Sequence, residues 1–324
     1  MNELLKIEDL KTYFYTYEGV VKAVNGINLQ INKGETLGLV GESGCGKSIT
    51  ALSILRLIPS PPGKIINGKI IFEGKNLLEL NDKEMRKIRG KKISMIFQEP
   101  MTSLDPMFTI GQEIMEVIKL HQGLEKEEAR RKTIESLKAV GFPDPEERVD
   151  NYPHELSGGM RQRAMIAMAL SCNPTLLIAD EPTTALDVTI QAQILKLISE
   201  LKENFDTSIL LITHDLGVIA ETCDNVALMY AGFIVESTDV HSFFKNPLHP
   251  YAEGLLKSIP RLDLHVKKLD IIKGIVPNLL DVPHGCPFHP RCEYCFKKCT
   301  NKLPELIEIE KNHLVRCWLF GDKK

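Results

Sequence analysis

The chain has 324 residues, of which 43% are hydrophobic and 26% are charged, so it is long enough for one large domain with an extension or for two domains. Its net charge of −3 lacks the basic excess of a nucleic-acid-binding surface, which argues against a nucleic-acid partner. The sequence contains neither a run of 18 apolar residues nor an N-terminal secretory segment, so we expect a cytosolic chain that does not itself span a membrane.

Two strands are predicted at the N-terminus, over residues 4–10 and 20–31, with a turn at residues 18–19. Four aromatic side chains follow the first strand: Tyr13, Phe14, Tyr15 and Tyr17. Aromatic rings at this place are able to stack on a purine base. By itself, however, the group is explained more simply as part of an ordinary surface hairpin.

A glycine-rich segment lies between a predicted strand at residues 36–40 and a predicted helix at residues 49–57. Its sequence is Gly41-Glu42-Ser43-Gly44-Cys45-Gly46-Lys47-Ser48, which has the spacing of a phosphate-binding loop. Because glycine has no Cβ, backbone N–H groups are able to point at phosphate oxygens, and the helix start adds free donors. We expect Lys47 to reach the β- and γ-phosphates and the Ser48 hydroxyl to bind Mg²⁺.

The middle of the chain changes from strands to helices. Predicted strands at residues 68–72 and 93–97 flank a helix-capping pattern at residues 81–84. Helical periodicity then runs over residues 110–140, with a break at Gln122 and Gly123. We therefore expect a mostly helical subdomain, over about residues 100–170, between segments of a parallel sheet.

A second possible anion site lies within this helical insert. Ser157 is a good N-cap, and Gly158 and Gly159 offer free backbone N–H groups at the start of a helix over residues 160–170. Taken alone, such a segment is more often a simple turn before a helix, so its significance depends on its neighbours.

Two later strands end in side chains suited to hydrolysis. Residues 176–181 form an apolar run ending in Asp180 and Glu181, and residues 208–213 precede His214. Asp180 is placed to hold Mg²⁺ through water, and Glu181 to orient and deprotonate an attacking water molecule. His214 is able to hydrogen-bond a terminal phosphate, although an isolated histidine is more often structural.

In this order, the segments resemble the ATP-binding cassette of ABC transporters over residues 4–237. The matching elements are the Walker A loop (41–48), the Q-loop Gln98, the signature Leu156-Ser157-Gly158-Gly159, the Walker B pair Asp180-Glu181, the D-loop Ala185-Leu186-Asp187 and the switch His214. The resemblance implies an α/β fold of the P-loop NTPase class, with a RecA-like core, an N-terminal antiparallel β subdomain and a helical subdomain. It also implies a head-to-tail dimer that encloses two ATP molecules.

The resemblance implies ATP hydrolysis with Mg²⁺. Its implied catalytic residues are Glu181, His214, Lys47 and Gln98, and its implied Mg²⁺ ligands are Ser48, Gln98 and Asp180. Its implied nucleotide contacts are Gly41, Ser43, Gly44, Cys45, Gly46, Lys47, Ser48, Ile49, Gln98, Ser157, Gly158, Gly159 and Asp180. For the ring that stacks on adenine, alignment favours Phe14, with Tyr13 and Tyr17 as competitors.

Finer details resemble the ATP-binding subunits of dipeptide and oligopeptide importers. These details are residues 97–106, residues 180–189 and Met160 after the signature glycines. The resemblance implies a related but non-identical cassette partner, two membrane permease subunits and an external peptide-binding protein. We therefore expect a peripheral protein on the cytoplasmic side of the cell membrane that energises peptide uptake. Nickel or another small solute is an alternative cargo, and a soluble non-transport ATPase is a more distant alternative.

Residues 241–324 follow the cassette, residues 1–240, as a small, loop-rich extension that also resembles the importer subfamily. Five of the eight cysteines lie here, which in a reducing compartment favours a metal over disulfides. The subfamily pattern implies four ligands of a [4Fe–4S] cluster: Cys286, Cys292, Cys299 and Cys317. Zinc is the alternative, although only Cys292 and Cys295 have the spacing of a zinc-binding pair. His289 and His313 are alternative ligands, but ordinary loop positions explain them more simply.

Overall fold

A computed structural model of the protein describes residues 3–99, 103–183, 188–259 and 271–321, apart from the side chains of residues 188, 201 and 203–205. The strands are β1 (Glu3–Thr16), β2 (Gly19–Asn32), β3 (Thr36–Val40), β4 (Gly63–Phe72), β5 (Lys75–Asn76), β6 (Ile93–Ile96), β7 (Leu176–Asp180), β8 (Ser208–Thr213), β9 (Asn225–Tyr230), β10 (Phe233–Asp239), β11 (Ile307–Glu310) and β12 (His313–Val315).

The α-helices are α1 (Lys47–Ile54), α2 (Asp82–Ile88), α3 (Ile110–Gln122), α4 (Lys126–Ala139), α5 (Pro145–Arg148), α6 (Gly158–Leu170), α7 (Val188–Phe205), α8 (Leu216–Thr222), α9 (Val240–Lys245), α10 (Pro250–Lys257) and α11 (Lys297–Asn301). Short 3-10 helices occupy Leu77–Glu79, Pro153–Glu155 and His289–Arg291. None of the helices within the described ranges combines the length and the apolar character that a membrane crossing requires.

The chain forms two compact units. The helical unit comprises Asn32–Glu35 and Glu79–Ile212, and the loop unit comprises Glu3–Ile31, Thr36–Leu78 and the described part of Thr213–Lys324. Each unit has its own strands and its own buried apolar side chains.

The helical unit is built on parallel strands in the order β6-β7-β8. Every residue of β7 and β8 is buried, which is the pattern of strands covered on both faces. The predicted break at residues 122–123 is confirmed, because α3 ends at Gln122 and Gly123 caps it with a φ of 68°. Helices α3 and α4 pack on each other, and both pack on α6, as expected of a helical subdomain.

The loop unit contains an antiparallel sheet in the order β2-β1-β4-β5. Strand β1 continues to Thr16, so the prediction that it ends at residue 10 is wrong. The reason is that β1 stays paired with β4 as far as Phe14 and Gly63, while Thr12 is fully buried and hydrogen-bonds Ser53 of α1 at 2.9 Å between hydroxyl oxygens. Tyr13, Phe14 and Tyr15 therefore lie within the strand.

The loop unit also contains strands in the order β11-β12-β10-β9-β3. Strand β3 runs parallel to β9, whereas β10 is antiparallel to both β9 and β12. The last two strands therefore continue the sheet that carries the phosphate-binding loop, although the extension was expected to be only loop-rich. The apolar core beside β9 and β10 contains Tyr230 from residues 1–240 together with Phe243, Tyr251 and Phe288 from residues 241–324.

Glu113, in the first turn of α3, has its pKa raised to about 7, mainly because burial removes its carboxylate from water. The nearby carboxylates of Asp105 and Glu116 raise the pKa further, whereas the Asp105 N–H, which donates to Glu113 Oε1 at 3.2 Å, lowers it. The folded protein therefore binds a proton that the unfolded chain releases between about pH 4.5 and 7, so this residue lowers stability as pH rises through that range.

The substitution Glu113→Gln is expected to increase the free energy of unfolding more at pH 8 than at pH 5. Urea unfolding of the parent and the variant at both pH values measures the difference. Glu135→Gln, at an exposed position of α4, is the control and should show no such pH dependence. An equal effect of Glu113→Gln at the two pH values would contradict the protonated state.

Candidate functional site

The phosphate-binding loop joins β3 to α1 within the loop unit, as the sequence predicts. Helix α1 begins at Lys47 rather than at residue 49, so Lys47 and Ser48 lie in its first turn. The first turn of a helix has backbone N–H groups without intrahelical acceptors, and these groups favour an anion. Ser43 and Gly44 at the tip of the loop are exposed, so the loop opens towards solvent.

Lys47 is held inside the loop. Its side chain is largely buried, and Nζ donates to the carbonyl oxygens of Gly41 at 2.7 Å and Glu42 at 3.1 Å. Burial raises the pKa of the neighbouring Cys45 thiol, so Cys45 acts as a small neutral side chain that fills the interior of the loop. The arrangement places one cation and a helix N-terminus around the same short segment, which suits a phosphate group.

Gly46 must be glycine for a steric reason. Its φ is 109°, and a Cβ at this position would lie 2.2 Å from the carbonyl oxygen of Ala23. Gly44 has a φ of 77°, but a Cβ there would have no atom within 4 Å. The two positions therefore share a left-handed backbone but differ in the space around them.

Gly46→Ala is expected to destabilise the protein by more than about 2 kcal/mol and to weaken nucleotide binding, because the backbone strain and the close contact add together. Gly44→Ala is the matched control and should cost only about 1 kcal/mol, from the strain alone. Denaturant unfolding of both variants checks the difference. Equal destabilisation by the two substitutions would contradict the steric argument.

The aromatic side chains of β1 have different surroundings. The Tyr13 hydroxyl donates to Asn25 Oδ1 at 2.6 Å, so this ring is held by a hydrogen bond. Phe14 lies next to Gly63 of β4 and shares a strand face with Thr12, the residue that contacts α1. Tyr17 is 98% exposed in the turn that follows. Phe14 is thus on the face that packs towards the helix of the phosphate-binding loop.

The helical unit brings together two of the predicted site residues at the ends of neighbouring strands. Gln98 follows β6, Glu181 follows β7, and Gln98 Nε2 donates to Glu181 Oε2 at 3.1 Å. The N–H of Glu181 donates to the Ile212 carbonyl of β8 at 2.9 Å. The φ of Glu181 is 45°, so the backbone leaves the extended conformation of β7 at this residue. Asp180, the last residue of β7, is largely buried.

The signature segment forms the predicted helix start. Ser157 caps α6 by accepting the N–H of Met160 at 3.4 Å, and Ser157 and Gly158 are exposed. Sequence reasoning missed the role of Gln162, which is 2% exposed and whose Nε2 donates to the Pro182 carbonyl at 2.6 Å. Gln162 thus connects the signature helix to the segment after Glu181, and its position after a glycine pair gives no local signal of this contact.

His214 and the D-loop complete the predicted set. His214 follows β8 in the loop unit and is exposed. Residues 185–187 lie outside the described residues, so their assignment to the D-loop stays a prediction.

Four cysteines of the extension line one small cavity in the loop unit: Cys286, Cys292, Cys299 and Cys317. The fifth, Cys295, is exposed and does not line this cavity, which agrees with its prediction as the spare cysteine. The Cys286 N–H donates to the Cys299 carbonyl at 2.8 Å, a close approach in which Gly285 has a φ of 78°. These thiols converge from four separate segments.

Two of these thiols, those of Cys286 and Cys317, have strongly raised pKa values. Burial, reinforced by the neighbouring cysteines, raises the pKa of Cys286 to about 12 and that of Cys317 to about 11. Among the described residues, no three His, Cys, Asp or Glu side chains come close enough together to hold a metal ion. Four cysteines around one cavity are a donor set that a metal centre uses, but in this structure the thiols are not spaced as bound ligands.

The two histidines of this region have other partners. His313 Nε2 is 2.8 Å from Glu236 Oε1, and both side chains are buried. His289 Nδ1 is 2.9 Å from the Cys286 carbonyl oxygen. The prediction of an ordinary surface or loop residue is wrong for His313, which is buried within β12 because Glu236 supplies a partner for its ring. His289 is half-buried and also lines the cysteine cavity, so its role as an alternative ligand stays a prediction.

Comparisons with known proteins agree with these features. Residues 24–184 match the family model for ABC transporters, and residues 235–299 match the model for the oligopeptide/dipeptide transporter C-terminal region. A probable peptide ABC transporter ATP-binding protein of Sinorhizobium fredii, y4tR, is 54% identical over 97% of this chain and 94% of its own length. The oligopeptide transport ATP-binding protein AppD of Bacillus subtilis is 53% identical over 100% of this chain and 98% of its own. The dimeric ATP-binding cassette MJ0796 bound to ADP and phosphate has a TM-score of 0.66 and 28% identity, covering 73% of this chain and 99% of that chain.

Proposed function

The chain belongs to the ABC transporter family, in its branch of peptide-transport ATP-binding proteins, and from this membership we propose that it hydrolyses ATP to drive uptake of dipeptides or oligopeptides across the cell membrane. The observation that carries the proposal is the end-to-end similarity to AppD, at 53% identity over the whole chain. The similarity includes the extension, which a cassette of another ABC class would not need to share.

For ATP binding, we propose that Lys47 and the N-terminus of α1 hold the phosphates, together with Gly41, Ser43, Gly44, Cys45, Gly46, Ser48 and Ile49. Phe14 is proposed to stack on adenine, ahead of Tyr13, because the Tyr13 hydroxyl already has a partner in Asn25. The open tip of the loop and the buried ammonium group support this assignment.

For hydrolysis, we propose Mg²⁺ binding by Ser48, Gln98 and Asp180, whose oxygens are the ligands that this ion prefers. Glu181 is proposed to accept the proton of the attacking water, with His214 bound to the terminal phosphate. The 3.1 Å contact between Gln98 and Glu181 supports this arrangement, because it keeps a metal ligand and the base side by side. Mg²⁺ would supply charge neutralisation on the phosphates.

We propose that the chain works as a peripheral protein on the cytoplasmic side of the membrane, with two permease subunits and an external peptide-binding protein. A second, related cassette is proposed to receive the signature residues Ser157, Gly158 and Gly159 at its own bound ATP. The support is that Ser157 and Gly158 are exposed at the N-terminus of α6, where the first backbone N–H groups have no acceptor within the helix.

For residues 241–324, we propose an extension to the cassette of residues 1–240 that holds a [4Fe–4S] cluster at Cys286, Cys292, Cys299 and Cys317. The support is their convergence on one cavity without Cys295. A cluster would cross-link four separate segments and offset the entropy of ordering their loops. Anaerobic purification should yield a brown protein that absorbs at about 400 nm. A colourless protein with one zinc per chain would contradict the cluster and favour the alternative.

Uptake assays distinguish the proposed cargo from the alternative. Cells that lack this chain should fail to accumulate a radiolabelled dipeptide or tetrapeptide, and should regain uptake when the chain is restored. Accumulation of labelled nickel should not change. The opposite result, lost nickel uptake with normal peptide uptake, would reject the peptide proposal and support a nickel importer.

A further inference from the structure

The C-terminal region contacts the phosphate-binding loop through an arginine. Arg291 lies 249 residues after Glu42, the second residue of the loop, and both belong to the loop unit. Nη1 of Arg291 donates to Glu42 Oε2 at 2.6 Å, and Nη2 donates to Glu42 Oε1 at 3.0 Å. Two parallel bonds between a guanidinium and a carboxylate fix orientation as well as distance.

A tyrosine from the same region holds the backbone of the same residue. The hydroxyl oxygen of Tyr251 accepts the N–H of Glu42 at 3.0 Å. Tyr251 is fully buried, and its ring lies 4.7 Å from that of Tyr230 and 5.3 Å from that of Phe288, measured between centroids. The backbone and the side chain of Glu42 are therefore both bound by residues far along the chain.

Arg291 is itself rigidly placed. Its side chain is 5% exposed, and it also donates through Nε to the Lys273 carbonyl at 3.2 Å and through Nη1 to the Tyr230 hydroxyl at 3.4 Å. The bonds to Glu42 raise the pKa of Arg291. The Glu42 side chain is 27% exposed, so this bidentate pair is partly shielded from solvent and is weakened by salt less than a surface ion pair.

The position of Glu42 explains why this contact matters. The carbonyl oxygens of Gly41 and Glu42 are the acceptors of Lys47 Nζ, so any movement of Glu42 changes the direction of the ammonium group. The C-terminal region therefore holds Glu42 through both its N–H and its carboxylate, beside the carbonyl oxygen that Lys47 contacts.

We propose that Arg291 and Tyr251 are positioning residues of the nucleotide site, through which the C-terminal region sets ATP affinity. This inference rests on the proposed role of the loop in ATP binding. Neither residue touches the nucleotide; each keeps Glu42, and thereby Lys47, in the binding conformation. Arg291 directly precedes Cys292, and Phe288 lines the cysteine cavity, so the anchoring residues are part of the same folded region as the proposed cluster.

Variants of the full-length chain at Arg291 and Tyr251 test the proposal by titration with a fluorescent ATP analogue and by steady-state hydrolysis. Arg291→Lys should raise both the Kd and the KM for ATP about five- to tenfold, because lysine cannot form the bidentate pair. Tyr251→Phe should raise both about threefold, because it leaves the Glu42 N–H without its acceptor. The turnover number kcat should change less than twofold in each variant.

Arg316→Lys is the matched control. Arg316 is also buried and also directly precedes a proposed cysteine ligand, Cys317, but it donates to the carbonyls of Ile234 and Pro304 and does not touch the loop. Its replacement should lower the thermal unfolding temperature without changing ATP affinity. Glu42→Gln is measured alone and combined with Arg291→Lys. The double variant should bind ATP no more weakly than the weaker-binding of these two single variants, because both changes break the same pair.

The outcomes separate the proposal from its premise. Unchanged ATP affinity in Arg291→Lys and Tyr251→Phe, or an equal loss in Arg316→Lys, would overturn the positioning role while the parent still binds ATP. Failure of the parent itself to bind the analogue would instead refute the proposed nucleotide site. Thermal unfolding without nucleotide identifies any variant whose affinity falls only because it is unfolded.

Discussion

Replacing Glu181 with glutamine is expected to slow ATP hydrolysis by about 10²- to 10⁴-fold, the usual contribution of a general base, while ATP still binds. An amide has almost the same shape as the carboxylate but cannot accept the proton of the attacking water. Its oxygen is still able to accept the hydrogen bond that Gln98 donates at 3.1 Å, so the end of β7 should keep its structure. Phosphate release at saturating ATP measures the effect.

The same variant should accumulate as an ATP-bound dimer of cassettes, seen as an earlier peak in size-exclusion chromatography with ATP and Mg²⁺. The control is Glu84→Gln, which alters a helix-capping glutamate of α2 in the same unit and should leave turnover near that of the parent. Undiminished turnover in Glu181→Gln would remove Glu181 from the role of base.

Replacing Lys47 with alanine should weaken ATP binding by about 100-fold, since it removes a charged hydrogen-bond donor to the phosphates. The substitution also removes the donor that joins the Gly41 and Glu42 carbonyls, so the empty loop should lose its closed shape. Equilibrium titration with a fluorescent ATP analogue checks the affinity.

Lys75→Ala provides the comparison for this experiment, because Lys75 is an exposed lysine of β5 in the same unit. ATP should bind the Lys75 variant as tightly as it binds the parent. If Lys47→Ala bound ATP with parental affinity, the phosphates would have to be held elsewhere.

Local patterns in the sequence predicted the elements that carry the site. The strand predicted over residues 36–40 is β3 to the residue, and the capping pattern at Asn81 forms the expected reciprocal pair with Glu84. Each of these features is determined by residues close together in the sequence: an apolar run, a glycine spacing or a helix cap. The local sequence is therefore sufficient to predict them.

Contacts between distant segments gave no such signal. The bond between Arg291 and Glu42 joins residues 249 apart, and the contact of Gln162 with Pro182 depends on how α6 packs. The continuation of β1 to Thr16 was not predicted, because it depends on pairing with the distant strand β4 and not on a pattern within β1 itself. Charged and amide side chains at these positions look like ordinary surface residues until the partner segment is in place.

Peptide accumulation in reconstituted vesicles measures whether ATP hydrolysis by this chain powers peptide import. Vesicles would hold the two permease subunits, the partner cassette and this chain, with the peptide-binding protein and a labelled oligopeptide on the outer, extracytoplasmic side and ATP on the cassette side. We expect ATP-dependent accumulation of the peptide above its external concentration with the parent chain, and almost none with Glu181→Gln. Equal accumulation with the parent and with Glu181→Gln would contradict the claim that hydrolysis by this chain powers peptide import.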